Sequence, residues 1–278
     1  MELLLNEKSL DGQFEDSEEF YRTLPVMSRN LRILKQQQVS LLKHSSLYDR
    51  KITKDMTVLD LQNRRGKVAP VHRDEVKKWK RELSSLITEP PFWDVESADC
   101  EDSLEEAARR ETDLLSFPHS DYQDRILQVP YQNKVVTVNS AVTTKYLLKL
   151  LLDSKMLDIC EYLKLRYVEG RIRISFLDTG KKNILELQKT ETEEFLEALE
   201  RFETESWHEI QQDNFFCYKS YQPSSKKKNY FFQTDFAEKK IDKFRCGKHS
   251  QIRCFGYREG ECFYILTIER DHSMSDTG

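Results

Sequence analysis

The chain has 278 residues, of which 33% are charged and 11% are aromatic, and its formal net charge is −4. The aromatic content excludes a disordered chain of low hydrophobicity, and the low count of 8 Gly and 7 Pro excludes collagen-like or low-complexity order. The length fits one large globular domain or two small ones, and the near-neutral total excludes a generally basic nucleic-acid coat protein.

The first third of the chain has mainly helical periodicity. The predicted elements are a strand over 1–5, two helices over 17–42, a short helix over 54–61, a helix over 74–86 and an acidic helix over 103–115. Pro25 predicts the break between the two helices of 17–42, because proline removes a helical N–H donor. Ser103 is predicted to cap the acidic helix, with Glu106 at the capping-box position three residues later.

The middle third alternates between strand and helix patterns. The predicted elements are strands over 125–129 and 134–138, helices over 141–152 and 155–167, a hairpin over 171–187 and one long helix over 191–210. Within the hairpin, residues 171–176 and 183–187 alternate polar and apolar side chains, and Asp178-Thr179-Gly180 between them is a turn sequence.

The last segment combines aromatic strands with basic turns. Its predicted elements are strands from residue 214, a loop over 223–229, a helix over 235–244, and strands over 251–257 and 262–268. The whole pattern predicts an α+β fold, with a mostly helical and mixed N-terminal body and a small antiparallel β-sheet C-terminal domain. We expect a helical region over 1–118, a mixed α/β region over 119–210 and a basic, aromatic-rich sheet domain over 211–278.

Charge is distributed unevenly along the chain. Residues 214–258 contain eleven Lys and Arg against three acids, a local balance of +8, and aromatic residues are interleaved with the cations. Eight acids lie in each of the segments 96–113 and 186–205. A basic, aromatic-rich surface is typical of contact with a phosphate backbone combined with base stacking. The competing interpretation is a solvated face around a sheet whose aromatic residues form the core.

Metal and cofactor sites are not predicted. Cys246, Cys254 and Cys262 are evenly spaced, but structural zinc sites use tighter Cys pairs, so we expect buried free thiols. The sequence contains no Walker A loop and no Gly-x-Gly-x-x-Gly motif, and we expect no cofactor. The pair Arg201 and His208 has a spacing found in some ribonucleases, but such a spacing is expected by chance.

We also expect no membrane partner. The longest apolar run, over 147–152, falls short of the roughly 20 residues that a bilayer requires. The first residues lack the basic n-region and apolar h-region of a secretory signal, so a cytoplasmic location is expected.

The densest concentration of chemically useful side chains lies between residues 243 and 272. Cleavage of RNA without a metal requires a base, an acid and cations that stabilise the charge of the transition state. The predicted nucleic-acid contacts are Lys226, Lys227, Lys228, Tyr230, Lys243, Arg245, His249, Arg258 and Arg270. An alternative role for Arg253 is a structural pair with Glu269 or Asp271 across the sheet.

The same region resembles the C-terminal half of RelE-type toxin domains. The resemblance rests on residues 244–257 with a basic turn and an Arg-bearing strand, on residues 258–266 with an acidic turn and an aromatic strand, and on Asp271-His272. That family cuts mRNA in the ribosomal A site with basic residues and often a terminal His or Tyr. The resemblance therefore implies catalytic roles for Lys248, Arg253 and His272.

The whole chain is also similar to uncharacterised bacterial proteins that accompany anti-phage defence genes, in residues 7–14 and 90–93. We therefore expect a bacterial protein that binds or acts on RNA, which is favoured over DNA as the ligand. The expected activity is that of a metal-independent endoribonuclease-like effector in anti-phage defence. The alternative is a non-catalytic interaction subunit. In that case a partner protein docks on the acidic helices around Glu105 and Glu197, and the basic sheet binds nucleic acid or an acidic surface.

Overall fold

The computed structural model describes residues 1–63, 69–96, 100–223, 229–247, 250–271 and 274. The chain divides into two units, Met1–Met156 (unit 1) and Leu157–Gly278 (unit 2). Both units contain helices and strands, as the predicted α+β class requires. The division after residue 156 does not coincide with the region boundaries expected near residues 118 and 210.

Unit 1 is built around a mainly parallel sheet. Its strands are β1 (Glu2–Asn6), β2 (Ser40–Leu42), β3 (Lys51–Thr53), β4 (Met56–Thr57), β5 (Asp113–Ser116), β6 (Arg125–Tyr131) and β7 (Lys134–Ala141). Its helices are α1 (Ser17–Gln36), α2 (Val58–Asn63), α3 (Arg73–Thr88), α4 (Trp93–Glu96), α5 (Ser103–Arg110) and α6 (Thr144–Asp153). The main sheet has the order β2-β1-β5-β7-β6, and only the edge strand β6 pairs in the antiparallel sense.

A row of buried polar side chains crosses this sheet at the carboxyl ends of its parallel strands. The Asn6 amide donates to Ser116 Oγ at 2.9 Å, the Ser116 and Ser140 hydroxyls are 2.8 Å apart, and Ser140 Oγ donates to the Tyr122 carbonyl at 2.6 Å. Each of these buried side chains finds a partner on a neighbouring element, which offsets the cost of removing it from water. The row therefore holds three strands in register.

Helix α1 is continuous, so the predicted break at Pro25 is wrong. Asp16 caps the helix by accepting a hydrogen bond from the Glu19 backbone N–H at 2.9 Å. An interior proline costs about 3 kcal/mol. Burial of one complete side of the helix, including Phe20, Leu24 and Leu31, offsets that cost. Among the described residues, no helix combines the length and the apolar character that a bilayer crossing demands.

The predicted acidic helix over 103–115 is too long, because its last residues belong to strand β5. Leu114 and Leu115 are buried in that strand between β1 and β7. The cap is Asp102 rather than Ser103, since Asp102 accepts hydrogen bonds from the Leu104 and Glu105 backbone N–H groups at 2.9 and 3.0 Å. A one-residue shift of this kind is common at helix ends.

Unit 2 packs helices on a mainly antiparallel sheet. Its strands are β8 (Ile172–Ile174), β9 (Lys219–Ser220), β10 (Ile241–Arg245), β11 (Arg253–Glu259) and β12 (Cys262–Glu269). Its helices are α7 (Ile159–Arg166), α8 (Asp178–Leu185), α9 (Lys189–Thr204) and α10 (Trp207–Gln212). The sheet order is β8-β12-β11-β10-β9, in which only β8 pairs in the parallel sense. The predicted antiparallel C-terminal sheet is therefore confirmed.

An aromatic cluster joins α9 to one face of this sheet. The ring of Phe202 lies 4.7 Å from Phe244 and 5.5 Å from each of Trp207, Phe216 and Phe263, measured between centroids. Aromatic pairs at these separations contribute beyond the area that they bury. This cluster is the centre of the core on that face.

Three element predictions in unit 2 are wrong. The predicted second hairpin strand over 183–187 lies mainly in helix α8. There Gly180, which lacks a side chain, brings the helix against the backbone of β12 at Leu266 and Thr267. The predicted helix over 235–244 is a turn followed by β10, whose backbone pairs on both sides inside the sheet. The long helix over 191–210 is two helices, because Ser206 caps α10.

The aromatic cluster predicts a large cost for truncation at its centre. Phe202→Ala should lower the free energy of unfolding by about 3–5 kcal/mol, because a cavity remains among four rings. Chemical denaturation measures this change. Phe232→Ala is the matched control, since the Phe232 side chain is 74% exposed, and it should change stability by less than about 0.5 kcal/mol. Equal effects of the two substitutions would contradict the packing described above.

The buried Glu106 predicts a pH dependence of stability in unit 1. Burial alone raises its pKa, but hydrogen bonds from Arg109 and Arg110 outweigh that effect and hold the pKa below the ordinary 4.5. A depressed folded-state pKa contributes stability that is complete above about pH 4.5 and is lost as the pH falls through the folded value.

Glu106→Gln should therefore lower the melting temperature at neutral pH and reduce its fall in acid, relative to wild type. Thermal melts followed by circular dichroism from neutral pH to about pH 3 measure both curves. Parallel curves for the two proteins would show that the Glu106 carboxylate makes no such contribution.

Candidate nucleic-acid interface

The structure describes only part of the predicted site. Six of the predicted site residues lie outside the described residues: Lys226, Lys227, Lys228, Lys248, His249 and His272. The others lie in unit 2, and they are Tyr230, Lys243, Arg245, Arg253, Arg258 and Arg270. Of the three residues with predicted catalytic roles, only Arg253 can be placed.

Arg253 lies beside Glu269 in the sheet. The two residues are directly opposite each other in the pairing of β11 with β12, and Arg253 Nε is 4.0 Å from Glu269 Oε1. The Glu269 side chain is fully buried, and its other oxygen accepts a hydrogen bond from the Met274 N–H at 2.9 Å. Burial lowers the pKa of the Arg253 guanidinium, while Glu269 acts in the opposite direction. This geometry is the structural pair that the sequence offered as the alternative to catalysis.

The remaining predicted contacts are dispersed over unit 2. Arg270 forms a bidentate salt bridge with Glu191 in the first turn of α9, with N–O distances of 3.0 and 2.9 Å. Lys243 is buried beside the Phe255 ring, 5.9 Å from its centroid.

Arg245 lies opposite Arg253 in the sheet, and its backbone N–H donates to the Phe216 carbonyl at 2.6 Å. Tyr230 donates to Thr179 Oγ1. The structure therefore brings Arg245 and Arg253 together with Glu269, and it gives Arg270 a pairing role inside the unit.

Arg258 belongs to a different surface, a polar cleft of about 530 Å³ at the edge of the sheet. The cleft is formed by the end of α10, strands β9 and β10, and the turn from β11 to β12. Its lining residues are Gln211, Tyr218, Lys219, Ser220, Lys240, Asp242, Arg258 and Gly260. Three cations and one carboxylate are among them, so the lining carries a net positive charge.

The guanidinium of Arg258 lies flat against an aromatic ring. Its Cζ atom is 3.9 Å from the centroid of the Trp207 indole, and Nε donates to the Gly260 carbonyl at 2.8 Å. The residue is exposed although its side chain is held in place. A planar cation held in this way presents a surface on which a further ring can stack.

Asp242 lies on β10 and is nearly fully buried beside the cleft cations. Its Oδ2 accepts a hydrogen bond from the Tyr218 hydroxyl at 2.7 Å, and its Oδ1 accepts one from Ser220 Oγ at 2.9 Å. Burial, and then the hydrogen bond to Asp242, raise the pKa of Tyr218, so its hydroxyl remains protonated. Two neutral donors thus fix the orientation of this carboxylate.

Some residues of the acidic segments form ion pairs and helix caps within the protein instead of facing solvent. Glu106 is buried against Arg109 and Arg110, and Asp102 caps α5. Glu105, named as part of a docking surface, is half-buried, whereas Glu197 is exposed on α9. The outward acidic surface therefore lies on α9 more than on α5.

The cysteines are free thiols, and Cys246 and Cys254 are buried. Burial raises the pKa of both thiols, which keeps them protonated and unreactive. Within the part of the chain that the structure describes, no group of three or more His, Cys, Asp or Glu side chains is arranged to hold a metal ion.

Comparison with known proteins adds no family to this description. No family model, no curated protein sequence and no solved structure matches the chain.

The sequence interpretation missed most of the cleft. Lys219 and Lys240 contribute to the local charge of +8, but nothing in their spacing connects them, since they come together only through the pairing of β9 with β10. Asp242 was placed in a predicted helix, and its neighbours Tyr218 and Ser220 are more than twenty residues away in the chain. The i, i+2 spacing of Tyr218 and Ser220 is a pattern that could have indicated that these two side chains share one face of a strand.

The position of Arg253 leads to a stability prediction. Arg253→Ala should lower the free energy of unfolding by about 1–3 kcal/mol, because the buried Glu269 carboxylate loses one of its partners. Urea denaturation measures the change. Arg173→Ala on β8 is the control, since its guanidinium donates to the Gly170 and Ile172 carbonyls within its own segment, and it should cost less. If Arg253→Ala left the free energy of unfolding unchanged, the pair of Arg253 with Glu269 would make no contribution to stability.

Proposed function

We propose that unit 2 binds single-stranded nucleic acid, RNA in the first place, through the cleft beside β9 and β10. The observation that carries this proposal is the convergence of Lys219, Lys240 and Arg258, from separate elements, on one polar cleft. Cations at the rim of a cleft attract a phosphate backbone and release its counterions, which supplies most of the affinity of non-specific binding.

The size of the cleft supports a single strand. A volume of about 530 Å³ lies within the range of small-molecule pockets, and such a pocket accepts one or two nucleotides rather than a duplex. Single strands also expose the faces of their bases, which a duplex hides. The proposed ligand therefore enters the cleft as an unpaired segment.

Arg258 supports contact with a base as well as with phosphate. Its guanidinium lies on Trp207 and pairs at one edge with Glu261 at 3.4 Å, and the residue is exposed, so we propose that a nucleobase stacks on its other face. Stacking of a base on an aromatic or guanidinium plane contributes about 1–3 kcal/mol per base in single-strand binding proteins. Binding would thus combine salt-dependent and salt-independent contributions.

Charge reversal in the cleft tests the proposal. Lys240→Glu and Arg258→Glu should each weaken binding of a fluorescein-labelled uridine decamer in fluorescence anisotropy, because repulsion replaces attraction to a phosphate. Across a salt series, the slope of log K against log salt should fall by about 0.7 for each phosphate that the protein no longer neutralises. Arg258→Lys should retain the salt slope but lose the stacking contribution.

The matched control is Lys182→Glu on α8, a charge reversal at a side chain that is 76% exposed and does not line the cleft. It should leave the affinity close to wild type. Equal loss in the control and in the cleft variants would indicate a diffuse electrostatic effect, and absence of binding by wild type would overturn the proposal.

Cleavage and a role in anti-phage defence are further parts of the proposal, and they rest on the sequence resemblances. Incubation of the wild type with labelled RNA in a chelator tests metal-independent cleavage. Activity that survives in both Arg253→Ala and His272→Ala would remove the proposed catalytic roles. Intact RNA with the wild type would favour the non-catalytic alternative, in which the exposed acids of α9 offer a surface to a partner protein.

A further inference from the structure

The carboxylate of Asp242 is buried at the cleft, and its direct partners within the described residues are neutral. Its residue is 6% exposed, and its hydrogen-bond partners are the neutral hydroxyls of Tyr218 and Ser220. Among the residues that the structure describes, no cation lies within 4.0 Å of its oxygens. A buried charge without a paired cation is costly, and a ligand that donates hydrogen bonds to it would offset that cost.

The location of this carboxylate limits what it can contact. Asp242 lines the same cleft as Lys219, Lys240 and Arg258, so a bound strand passes close to it. A phosphate is repelled by a carboxylate, whereas a base edge with N–H donors is attracted. Each Asp242 oxygen accepts one hydrogen bond within the protein and retains a second lone pair for a ligand donor.

The two oxygens of a fixed carboxylate select one base edge. Guanine presents two adjacent donors, N1–H and the N2 amino group, at the spacing of carboxylate oxygens. Adenine and cytosine each present one amino group beside an acceptor, and uracil presents one N–H between two acceptors. An acceptor facing the carboxylate is repelled, so guanine alone satisfies both oxygens.

We propose that the cleft reads a guanine base, with the Asp242 carboxylate accepting from guanine N1–H and N2–H while Arg258 stacks on or beside the base. The inference rests on the proposed binding of single-stranded RNA and adds to it a base preference. Tyr218 is a positioning residue in this arrangement, since its hydroxyl orients the carboxylate and touches no base.

The preference is measured with uridine decamers that carry one central guanosine, inosine or adenosine. Wild type should bind the guanosine decamer at least about tenfold more tightly than the adenosine decamer, the usual value of a two-hydrogen-bond contact. Inosine lacks the N2 amino group and should fall between them. Asp242→Asn should remove the preference for guanosine, so that the guanosine and adenosine decamers bind this variant with the same affinity.

Tyr218→Phe serves as the second variant, because it keeps the carboxylate and removes one of its orienting donors. It should reduce the guanosine preference without abolishing it, and circular dichroism melts establish that both variants are folded. Equal wild-type affinity for all decamers overturns the guanine inference and leaves the proposed RNA binding in place. Equal affinity for all decamers, with a loss on replacement of ribose by deoxyribose that wild type shows and Asp242→Asn does not, assigns Asp242 to the sugar and also overturns the guanine inference. No binding of any decamer overturns the proposed function itself.

Discussion

The contact of Phe202 with the rings around it is the interaction on which the rest of unit 2 depends. It fixes α9 against the sheet through Phe244 and Phe263, and through Trp207 it places the start of α10. Trp207 in turn provides the ring against which Arg258 lies at the end of β11. The cleft therefore lies at the edge of an aromatic core, and that core positions Trp207 and Arg258.

Electrostatic pairing across elements decides which of the many cations face a ligand. Arg270 is held by Glu191 and Arg253 lies beside Glu269, so the acidic α9 and the buried β12 carboxylate neutralise charges that a count along the chain assigns to the surface. Two of the cleft cations, Lys219 and Lys240, lie on or beside β9 and β10, and the third, Arg258, lies at the other end of β11 from Arg253. A local charge balance thus predicts that a basic surface exists, whereas strand pairing decides which residues form it.

Elements with strong local patterns were predicted correctly. Helix α3 repeats its buried residues at helical spacing, and β11 and β12 are runs of mostly buried residues on either side of a short acidic turn. The errors lie where tertiary contacts outweigh local preference. Strand β5 pairs with β1 and β7, and β10 pairs with a strand on each of its edges. Helix α8 packs closely against β12 because Gly180 has no side chain at the contact.

The sequence by itself determined the α+β class, the antiparallel C-terminal sheet and the segment in which positive charge concentrates, because periodicity and composition are properties of neighbouring residues. Only the tertiary structure decided that Lys219, Lys240, Asp242 and Arg258 share one cleft, and that Arg253 lies beside Glu269. These groups are brought together by pairing between β9, β10, β11 and β12 and by packing of α10. Contacts between residues distant in the chain leave no regular spacing from which they could be predicted.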